Sequence, residues 1–322
     1  MSEQRAAGVL GVGSMGKHHA RVYDELPETR LVGVSDTDDQ RAREVASGTT
    51  AAVMDSDDLL EAADVVSVAV PTRFHADAVQ ACIDRGVDVL VEKPFVDDHQ
   101  RGREIAAAAR AAGVTLQVGH IERFNPAVRV LDDIVPDLDV VAVDIDRLGP
   151  PTDRDSQDSV VKDLMIHDVD ILLDLIDAEI ETLTAVARDD QHATAQFQFD
   201  TDTVATLTAS RRTQQKVREL VITAESCRVT VDFIDQHVEI HRRSVPEYVQ
   251  HDGDVRYRHE SVVERPTVTN GEPLKAQLEA FVAAARDGTE PPVTAEDALD
   301  ALEIVDQIEA LALGRVPEEV TA

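Results

Sequence analysis

The sequence predicts an α/β protein of two domains, with a doubly wound parallel sheet first and an α+β domain with a mostly antiparallel sheet second. Three observations predict this architecture. The chain has 322 residues, enough for two domains at roughly 150 residues each. Short apolar runs alternate with helical patterns over the first 120 residues, and β-rich runs follow one another without intervening helices from Glu181 onward.

The first domain, residues 1–121, is predicted from unbroken apolar strands, which are typical of a parallel sheet covered by helices on both faces. The predicted strands are Ala7–Val12, Leu31–Val34, Val65–Val70, Val87–Val91 and Val114–Val118. The predicted helices are Ser14–Leu26, Asp38–Ser47, Asp57–Ala63, Phe74–Arg85 and Asp97–Ala112. Gly86 and Gly113 end the last two helices.

The second domain, residues 122–322, is predicted from strands that follow one another through short turns, as in an antiparallel sheet. These strands are Glu181–Arg188, Ala193–Phe199, Thr203–Ser210, Val217–Thr223 and Arg228–Ile240, with a hairpin turn at Asp200–Asp202. Before them come a helix after Pro126, a strand over Val140–Leu148, a loop over Gly149–Asp158 and a helix over Val160–Ile176. Two helices, Leu274–Asp287 and Ala295–Leu313, close the chain, and their packing back on the first domain is left open.

The chain is strongly acidic, with 63 Asp and Glu residues, 31 Lys and Arg residues and a net charge of -32. Nucleic-acid binding needs a basic face, and an anionic membrane repels such a chain, so the composition argues against both partners. No apolar run approaches the roughly 20 residues that span a bilayer. The N-terminal Met-Ser-Glu-Gln-Arg lacks the features of a signal peptide, so we expect a cytoplasmic protein.

Lysine is scarce, whereas Asp runs such as Asp36–Asp39 recur along the chain. An anionic, lysine-poor surface is typical of proteins in very high salt, where a Debye length of about 3 Å screens self-repulsion. We hypothesise a halophilic protein, with an ordinary acidic protein as the alternative, and unfolding in low salt distinguishes them. Cys82 and Cys227 lie far apart and fit neither a disulfide framework nor a zinc site.

A dinucleotide site is predicted by Gly11-Val12-Gly13-Ser14-Met15-Gly16, which follows an apolar strand and opens a helix. The glycines permit a tight turn, approach of a pyrophosphate to the backbone and close helix packing, and the helix N-terminus offers N–H groups to phosphate. Asp36 ends the second strand, where a carboxylate can accept hydrogen bonds from the adenosine ribose. Asp36 and its acidic neighbours repel a 2′-phosphate and favour NAD over NADP, although Arg41 and Arg43 lie nearby.

Lys93 follows a predicted strand directly, within Glu92-Lys93-Pro94, at the edge of the sheet where ligands bind. Pro71-Thr72 and Gly119-His120 end other strands at this edge. An ammonium group there could orient a substrate hydroxyl and stabilise negative charge that develops on its oxygen. These residues alone do not distinguish this role from the alternative, a surface lysine that caps a strand.

The helix predicted over Val160–Ile176 carries Asp163, His167, Asp170 and Asp174 in one narrow polar stripe at about 100° per residue. Asp168 alone interrupts the apolar remainder, so we expect a largely buried helix whose stripe faces water or a cleft. Asp163 and His167 are i and i+4 neighbours, and a carboxylate beside an imidazole helps the ring to take a proton. A solvated stripe is the alternative, and a metal site of Asp163, His167 and Asp170 is not favoured.

Four motifs together resemble the glucose–fructose oxidoreductase / inositol dehydrogenase (Gfo/Idh/MocA) family: Gly11–Gly16, Pro71-Thr72-x-x-His75, Glu92-Lys93-Pro94 and Asp163-x-x-x-His167-Asp168. The resemblance extends over nearly the whole chain. It implies an N-terminal Rossmann domain and a C-terminal α+β domain with an open, mostly antiparallel sheet. That sheet often forms the oligomer interface in the family, so a homodimer or homotetramer is expected.

The resemblance also implies site residues. His167 would be the acid/base, Lys93 would orient and polarise the reacting hydroxyl, and Asp163 would hold and tune the other two. The cofactor site would comprise Gly11, Gly13, Ser14, Met15, Gly16, Asp36, Pro71, Thr72, His75, Glu92 and Lys93.

A narrower resemblance, to the nucleotide-sugar members of the family, is carried by Val118–Pro126, Asp163–Asp170 and Lys216–Leu220. It implies NAD-dependent oxidation of the C3′ hydroxyl of UDP-GlcNAc or its uronic acid to a 3-keto sugar. Arg123 and Asn125 would help Lys93, Asp163 and His167 to bind this substrate. The segment Ala209–Thr213 departs from the pattern, because it lacks an aromatic residue and a proline. The alternatives are an NAD(P)-dependent dehydrogenase of a free sugar or polyol, and a non-catalytic dinucleotide-binding regulator, which would be expected to lack Lys93 or His167.

Overall fold

The computed structural model describes residues 4–151, 158–243, 247–251, 254–258 and 261–315, and the chain forms two compact units. The first unit contains the chain up to Phe124 together with Glu272–Glu303. The second contains Asn125–Gly271 and the chain from Ile304 onward. The boundary predicted between residues 121 and 122 lies just before the change of unit after Phe124.

The first unit is built on six parallel strands. They are β1 (Arg5–Leu10), β2 (Thr29–Ser35), β3 (Ala52–Val53), β4 (Val65–Val68), β5 (Asp88–Glu92) and β6 (Leu116–Gly119). Its helices are α1 (Gly16–Glu25), α2 (Asp39–Ser47), α3 (Ser56–Ala62), α4 (His75–Arg85) and α5 (His99–Ala112). The strand order β3-β2-β1-β4-β5-β6 reverses direction at β1 and β4, which confirms the predicted doubly wound Rossmann fold and places the ligand edge at their carboxyl ends.

The helix ends of this unit follow the local signals in the sequence. The Asp98 side chain accepts a hydrogen bond from the Arg101 backbone N–H at 2.9 Å and caps α5. Gly86 and Gly113 end α4 and α5 with φ of +68° and +69°, a conformation that favours glycine. The strands β4 and β6 are buried throughout, since helices cover both faces of the sheet.

The second unit is built on an eight-stranded sheet. Its strands are β7 (Val140–Leu148), β8 (Ile180–Asp189), β9 (His192–Phe199), β10 (Val204–Ser210), β11 (Val217–Ala224), β12 (Cys227–Asp232), β13 (His237–Arg243) and β16 (Ser261–Glu264). The order is β16-β13-β12-β11-β7-β10-β9-β8, and β10 with β7 is the parallel pair in a sheet whose other described pairs are antiparallel. The mostly antiparallel prediction is therefore confirmed. A separate hairpin pairs β14 (Glu247–His251) with β15 (Asp254–Arg258).

The helices of the second unit differ in regularity. A short helix, α6 (Pro126–Arg129), follows Asn125, and α7 (Ile166–Leu175) is preceded by a π-helical turn over Val161–Met165. The helix predicted over Val160–Ile176 is therefore present, but its first turn is π-helical. A π-helical turn is wider than an α-helical turn, so the 100° spacing of side chains does not apply there.

One other prediction needs correction, and a second is only partly covered by the described residues. The run Arg228–Ile240 is not one strand, because a turn over residues 233–236 separates β12 from β13. The Asp232 side chain accepts hydrogen bonds from the backbone N–H groups of Ile234 and Asp235, and Gln236 has φ of +50°. The loop predicted over Gly149–Asp158 includes residues 152–157, which lie outside the described residues.

The chain closes with α8 (Pro273–Asp287) and α9 (Ala295–Leu313). Leu274, Leu278 and Phe281 of α8 share a buried hydrophobic cluster with Val9 and Val22, so α8 packs on the first unit. Cys82 and Cys227 are both buried free thiols. Among the helices that the structure describes, none combines the length and the apolar character needed to cross a membrane.

Candidate active site

The loop between β1 and α1 has the geometry of a phosphate cradle. Gly11 has φ of +82°, and a Cβ atom on it would lie 2.7 Å from the carbonyl oxygen of Ala69. A Cβ atom on Gly16 would lie 1.8 Å from the carbonyl oxygen of Gly11. A Cβ atom on Gly13 would meet none of the described residues within 4 Å, which leaves open space beside the second glycine. These residues fit a dinucleotide pyrophosphate at the N-terminus of α1.

Asp36 lies directly after β2, and 6% of its side chain is exposed. Its Oδ2 atom accepts a hydrogen bond from the Val12 backbone N–H at 2.9 Å, and its Oδ1 atom accepts one from the Asp38 backbone N–H at 2.8 Å. The carboxylate therefore fastens the glycine loop to the end of β2. Arg41 places a cation beside it, with Nη1 at 3.3 Å from Oδ1.

His75 joins the ends of two neighbouring strands. Its ring is buried, with Nε2 2.9 Å from the carbonyl oxygen of Val70 and Nδ1 2.9 Å from that of Pro94. Pro71 and Thr72 lie at the first of these strand ends and lead through a short 3₁₀ turn into α4. The two segments that carry Pro71-Thr72 and Lys93-Pro94 are thus held side by side at the ligand edge.

Glu92 is the last residue of β5, and its side chain turns toward α1. The Oε1 atom lies 2.8 Å from Nε2 of His19, whose ring is buried. The Nδ1 atom of His19 lies 2.9 Å from Oγ of Ser67, and that hydroxyl lies 2.9 Å from the hydroxyl of Tyr23. A buried chain of polar groups therefore links the core to the residue that precedes Lys93.

Opposing effects act on the pKa of Glu92. Burial raises it, but the hydrogen bond with His19 and the positive charge of Lys93 lower it, and the net pKa lies below the usual value. Glu92 is therefore ionised at neutral pH. Lys93 itself is half-buried.

In the second unit, Asp163 lies in the π-helical turn that precedes α7 and is half-buried. Arg211, directly after β10, donates through Nη2 to Oδ2 of Asp163 and through Nη1 to the carbonyl oxygen of Asp158 at 3.1 Å. Only 6% of the Arg211 side chain is exposed. Arg211 therefore holds the turn that carries Asp163 against the end of β10.

His167 lies in the first turn of α7 and is half-buried. The predicted polar stripe is only partly solvated, since Asp174 is exposed but Asp170 is fully buried. Asp168 is buried as well. Its Oδ1 atom accepts a hydrogen bond from Nε of Arg147 on β7 at 2.8 Å and forms an ion pair with Nη2 of the same arginine at 2.7 Å. The prediction that the stripe faces water or a cleft is therefore wrong at Asp170. Within the parts of the chain that the structure describes, no three His, Cys, Asp or Glu side chains are arranged to hold a metal ion.

Arg123 and Asn125, predicted to bind substrate, contact other parts of their own units. The guanidinium of Arg123 lies 3.8 Å from the carboxylate of Asp297. The buried Asn125 side chain accepts a hydrogen bond from the Ala127 N–H at 3.1 Å, which caps α6, and donates one to the carbonyl oxygen of Phe233 at 3.0 Å. Asn125 therefore fixes the start of α6.

The sequence reasoning missed His19 as a residue of the site. The signal was available, because Gly16, His19, Ala20 and Tyr23 recur at the spacing of one buried helix face. A histidine within an otherwise apolar face needs polar partners. The partners themselves, Ser67 and Glu92, come from strands far along the chain, and no local pattern identifies them.

Comparisons with known proteins give a consistent result for both units. Residues 5–120 match the model of the oxidoreductase family GFO/IDH/MocA with an NAD-binding Rossmann fold, and residues 141–230 match the model of the GFO/IDH/MocA C-terminal domain. The chain is 33% identical over 245 residues to UDP-N-acetylglucosamine 3-dehydrogenase of Acidithiobacillus ferrooxidans, a match that covers 73% of this chain and 76% of the relative. It is 29% identical over 322 residues to inositol 2-dehydrogenase of Rhizobium meliloti, covering 93% and 94% of the two chains.

Solved structures are similar over almost the full length. A structure of the UDP-N-acetylglucosamine 3-dehydrogenase of Acidithiobacillus ferrooxidans superposes with a TM-score of 0.86 at 29% identity, covering 97% of this chain and 98% of that one. An apo scyllo-inositol dehydrogenase from Lactobacillus casei shares the fold, with a TM-score of 0.79 at 19% identity and 98% coverage of each chain.

Proposed function

Because the chain belongs to the GFO/IDH/MocA oxidoreductase family, we propose that it oxidises the C3′ hydroxyl of UDP-GlcNAc or its uronic acid to a ketone, with NAD as the cofactor. The similarity to UDP-N-acetylglucosamine 3-dehydrogenase carries this proposal, because it extends through both sequence and fold. The similarity to inositol 2-dehydrogenase supports an alternative substrate class, a free sugar or polyol.

The cofactor site of this proposal comprises the backbone of Gly11–Gly16, Asp36 and the segments at Pro71-Thr72 and Glu92-Lys93. The open space beside Gly13 and the positive end of α1 suit a pyrophosphate. When bound, NAD supplies the acceptor for a hydride. Asp36 supports NAD over NADP, because an ionised carboxylate accepts hydrogen bonds from ribose hydroxyls and repels a 2′-phosphate. Arg41, 3.3 Å from Asp36, offsets part of that repulsion.

His167 is proposed as the base that accepts the proton of the C3′ hydroxyl while the C–H electron pair leaves as hydride. Lys93 donates a hydrogen bond to the same hydroxyl oxygen, which holds it in place and stabilises its developing negative charge. Asp163 would hold and tune the other two groups, as the family resemblance implies, and its ion pair with Arg211 fixes the Asp163 carboxylate within its own unit. The reaction is balanced, since the alcohol loses one proton and one hydride and becomes a ketone.

The contacts of His75 and Asn125 support indirect roles, whereas Arg123 is proposed to bind the substrate itself. His75 would hold the segments around the cofactor through the carbonyl oxygens of Val70 and Pro94. Asn125 would orient the start of the second unit through its cap on α6. Arg123 would supply a guanidinium for a diphosphate or carboxylate of the substrate.

A substrate panel tests the proposal. Purified protein in high salt is incubated with NAD⁺ and, separately, UDP-GlcNAc, its uronic acid, myo-inositol and scyllo-inositol, and formation of reduced nicotinamide is followed by absorbance. We expect turnover with a UDP sugar, and mass spectrometry should show a product that has lost two hydrogens. Turnover with an inositol alone would establish the alternative, and NAD binding without turnover on any sugar would favour a regulator. Lys93→Ala and His167→Ala should each reduce kcat by about 10²–10⁴-fold.

We also propose that the protein is adapted to high salt and that it forms a homo-oligomer. The net charge of -32 supports a protein adapted to high salt, where counterions screen repulsion between its carboxylates. A homodimer or homotetramer is expected from the family. Thermal unfolding at several salt concentrations and sedimentation velocity test these two points.

A further inference from the structure

We propose that His19 is a positioning residue for Lys93 and that it acts through Glu92. The inference rests on the proposed function, because it assigns His19 to the lysine that orients the reacting hydroxyl. The buried imidazole of His19 makes two contacts: Nε2 lies 2.8 Å from Oε1 of Glu92, and Nδ1 lies 2.9 Å from Oγ of Ser67, which in turn lies 2.9 Å from the hydroxyl of Tyr23. Both ring nitrogens are therefore engaged.

The contact with Glu92 fixes the end of β5. Glu92 is the last residue of that strand, and Lys93 follows it directly. The neighbouring strand leaves room for the carboxylate, since Gly119 pairs with Glu92 and a Cβ atom on Gly119 would lie 3.2 Å from Cδ of Glu92. A side chain at position 119 would compete for the space that the carboxylate occupies.

The chain on the other side of Lys93 is also held. The carbonyl oxygen of Pro94 lies 2.9 Å from Nδ1 of His75, and Nε2 of the same ring lies 2.9 Å from the carbonyl oxygen of Val70. Lys93 thus lies between two residues that buried histidines hold, so the position from which its side chain extends is fixed on both sides.

The His19–Glu92 contact, which we call the tether, also links Lys93 to the glycine loop that forms the phosphate cradle. His19 lies on α1, which begins at Gly16, the third glycine of the loop. Any movement of α1 relative to β5 must break the His19–Glu92 contact, which joins a ring to an ionised carboxylate and is stronger than a neutral hydrogen bond. The contacts of His19 therefore fix the position of Lys93 relative to the glycine loop of the first unit.

Two variants separate the two contacts of His19. In His19→Gln the amide nitrogen takes approximately the place of Nε2 and keeps a donor for Glu92. In His19→Asn the shorter amide takes the place of Nδ1 and keeps only the contact with Ser67. Both replace a buried imidazole by a buried amide, so their effects on folding are matched. His18→Ala removes the exposed histidine next in sequence and is the control for changes to α1.

We expect His19→Asn to lower kcat by about 10- to 100-fold, because small displacements of a positioning group are costly. We expect His19→Gln to retain kcat within about threefold, and both variants to retain the KM for NAD⁺ within about threefold, since the cradle is intact. Equal losses in the two variants, or a loss confined to the KM for NAD⁺, would overturn the proposal. Should both variants fail to fold, Glu92→Met, which is similar in length but removes the oxygen acceptor for His19 and leaves α1 unchanged, is expected to give the same loss of kcat, and full activity of that variant would overturn the proposal.

A spectroscopic measurement tests the tether without any substrate. The chain has lysines only at positions 17, 93, 162, 216 and 275, so reductive methylation with ¹³C gives few dimethyl-lysine signals, and Lys93→Arg assigns the one of interest. We expect the Lys93 signal to move in His19→Asn and to stay near its wild-type position in His19→Gln and His18→Ala. An unmoved signal in His19→Asn would overturn the inference even if the sugar substrate proves to be different. Absence of turnover in the wild type, with the signal moving as expected, would count against the proposed function alone.

Discussion

The Cβ position of Gly16 lies 1.8 Å from the carbonyl oxygen of Gly11, so the first and third glycines of the loop fit against each other with no room for a side chain. Gly13, between them, has no neighbour within 4 Å of its Cβ position in the part of the chain that the structure describes. The three glycines therefore serve two different purposes. The first and third close the turn, and the second leaves open the space that a pyrophosphate needs.

These different purposes of the glycines predict that two alanine variants lose different properties, stability in one and NAD⁺ affinity in the other. Gly16→Ala should lower the free energy of unfolding by about 1–3 kcal/mol, because the new methyl group overlaps backbone. Gly13→Ala should unfold at the wild-type temperature yet bind NAD⁺ at least about tenfold more weakly, because its methyl group occupies the ligand's space. Thermal melts and NAD⁺ titration by calorimetry measure both. Wild-type NAD⁺ affinity in Gly13→Ala would contradict the assignment of the cradle.

Asp36 is expected to set cofactor preference. Asp36→Ala removes an ionised acceptor for ribose hydroxyls and the bond from the Val12 N–H, so NAD⁺ binding should weaken about tenfold or more. Binding of NADP⁺ should strengthen relative to NAD⁺, since the Asp36 carboxylate that repels a 2′-phosphate is gone while Arg41 remains, 3.3 Å from Asp38. Asp39→Ala, an exposed neighbour that pairs with Arg43, is the control. Preference of the wild-type protein for NADP⁺ would show that Arg41 outweighs Asp36.

Arg211 and Arg212 are adjacent arginines with different surroundings. Arg211 is buried against Asp163, whereas half of the Arg212 side chain is exposed where it pairs with Asp189. Arg211→Lys retains a charge but loses the planar fork that reaches both Asp163 and the Asp158 carbonyl, so kcat should fall by about tenfold or more. Arg212→Lys should retain wild-type kcat. A steady-state comparison of the two variants decides whether Asp163 needs this partner.

The depressed pKa of Glu92 predicts how stability changes with pH. A carboxyl group whose folded pKa lies below its ordinary value of 4.5 stabilises the fold above that pH, and the contribution disappears as the pH falls through the folded value. Melting temperatures of wild type and Glu92→Gln should therefore differ most near neutral pH and converge in acid. Glu61→Gln, at an exposed position, should follow the wild type throughout. A difference between wild type and Glu92→Gln that grows in acid would contradict the ionised Glu92–His19 contact.

The sequence was sufficient for the elements that local rules determine. The Gly-rich loop, the caps at Gly86 and Gly113, and the hairpin at Asp200–Asp202 depend on residues close together in the chain, and the structure has all of them. The division between β12 and β13 was missed because its turn contains neither Gly nor Pro. It is stabilised instead by the Asp232 side chain and by Gln236 in a left-handed conformation.

The contacts that shape the candidate site could not be predicted in the same way. His19 and Glu92 are 73 positions apart, and Asp163 and Arg211 are 48 positions apart. Such pairs depend on the order of the strands in each sheet. The periodicity of side chains along the sequence does not predict that order. The π-helical turn at Val161–Met165 could not be predicted either, because the composition of the segment is that of an ordinary buried helix. A polar side chain on an apolar helix face, such as His19, is a local sign in the sequence that such long-range contacts exist.

Transfer of a labelled hydride tests the central claim most directly. UDP-GlcNAc, or its uronic acid, is prepared with deuterium at C3 of the sugar and incubated with the protein and NAD⁺ in high salt, and the reduced nucleotide is analysed by mass spectrometry. Our account predicts that the reduced nucleotide carries the deuterium and that the initial rate is lower than with unlabelled substrate. Reduced nucleotide without deuterium would contradict oxidation at C3, and no reduced nucleotide with either sugar would contradict the proposed substrate class.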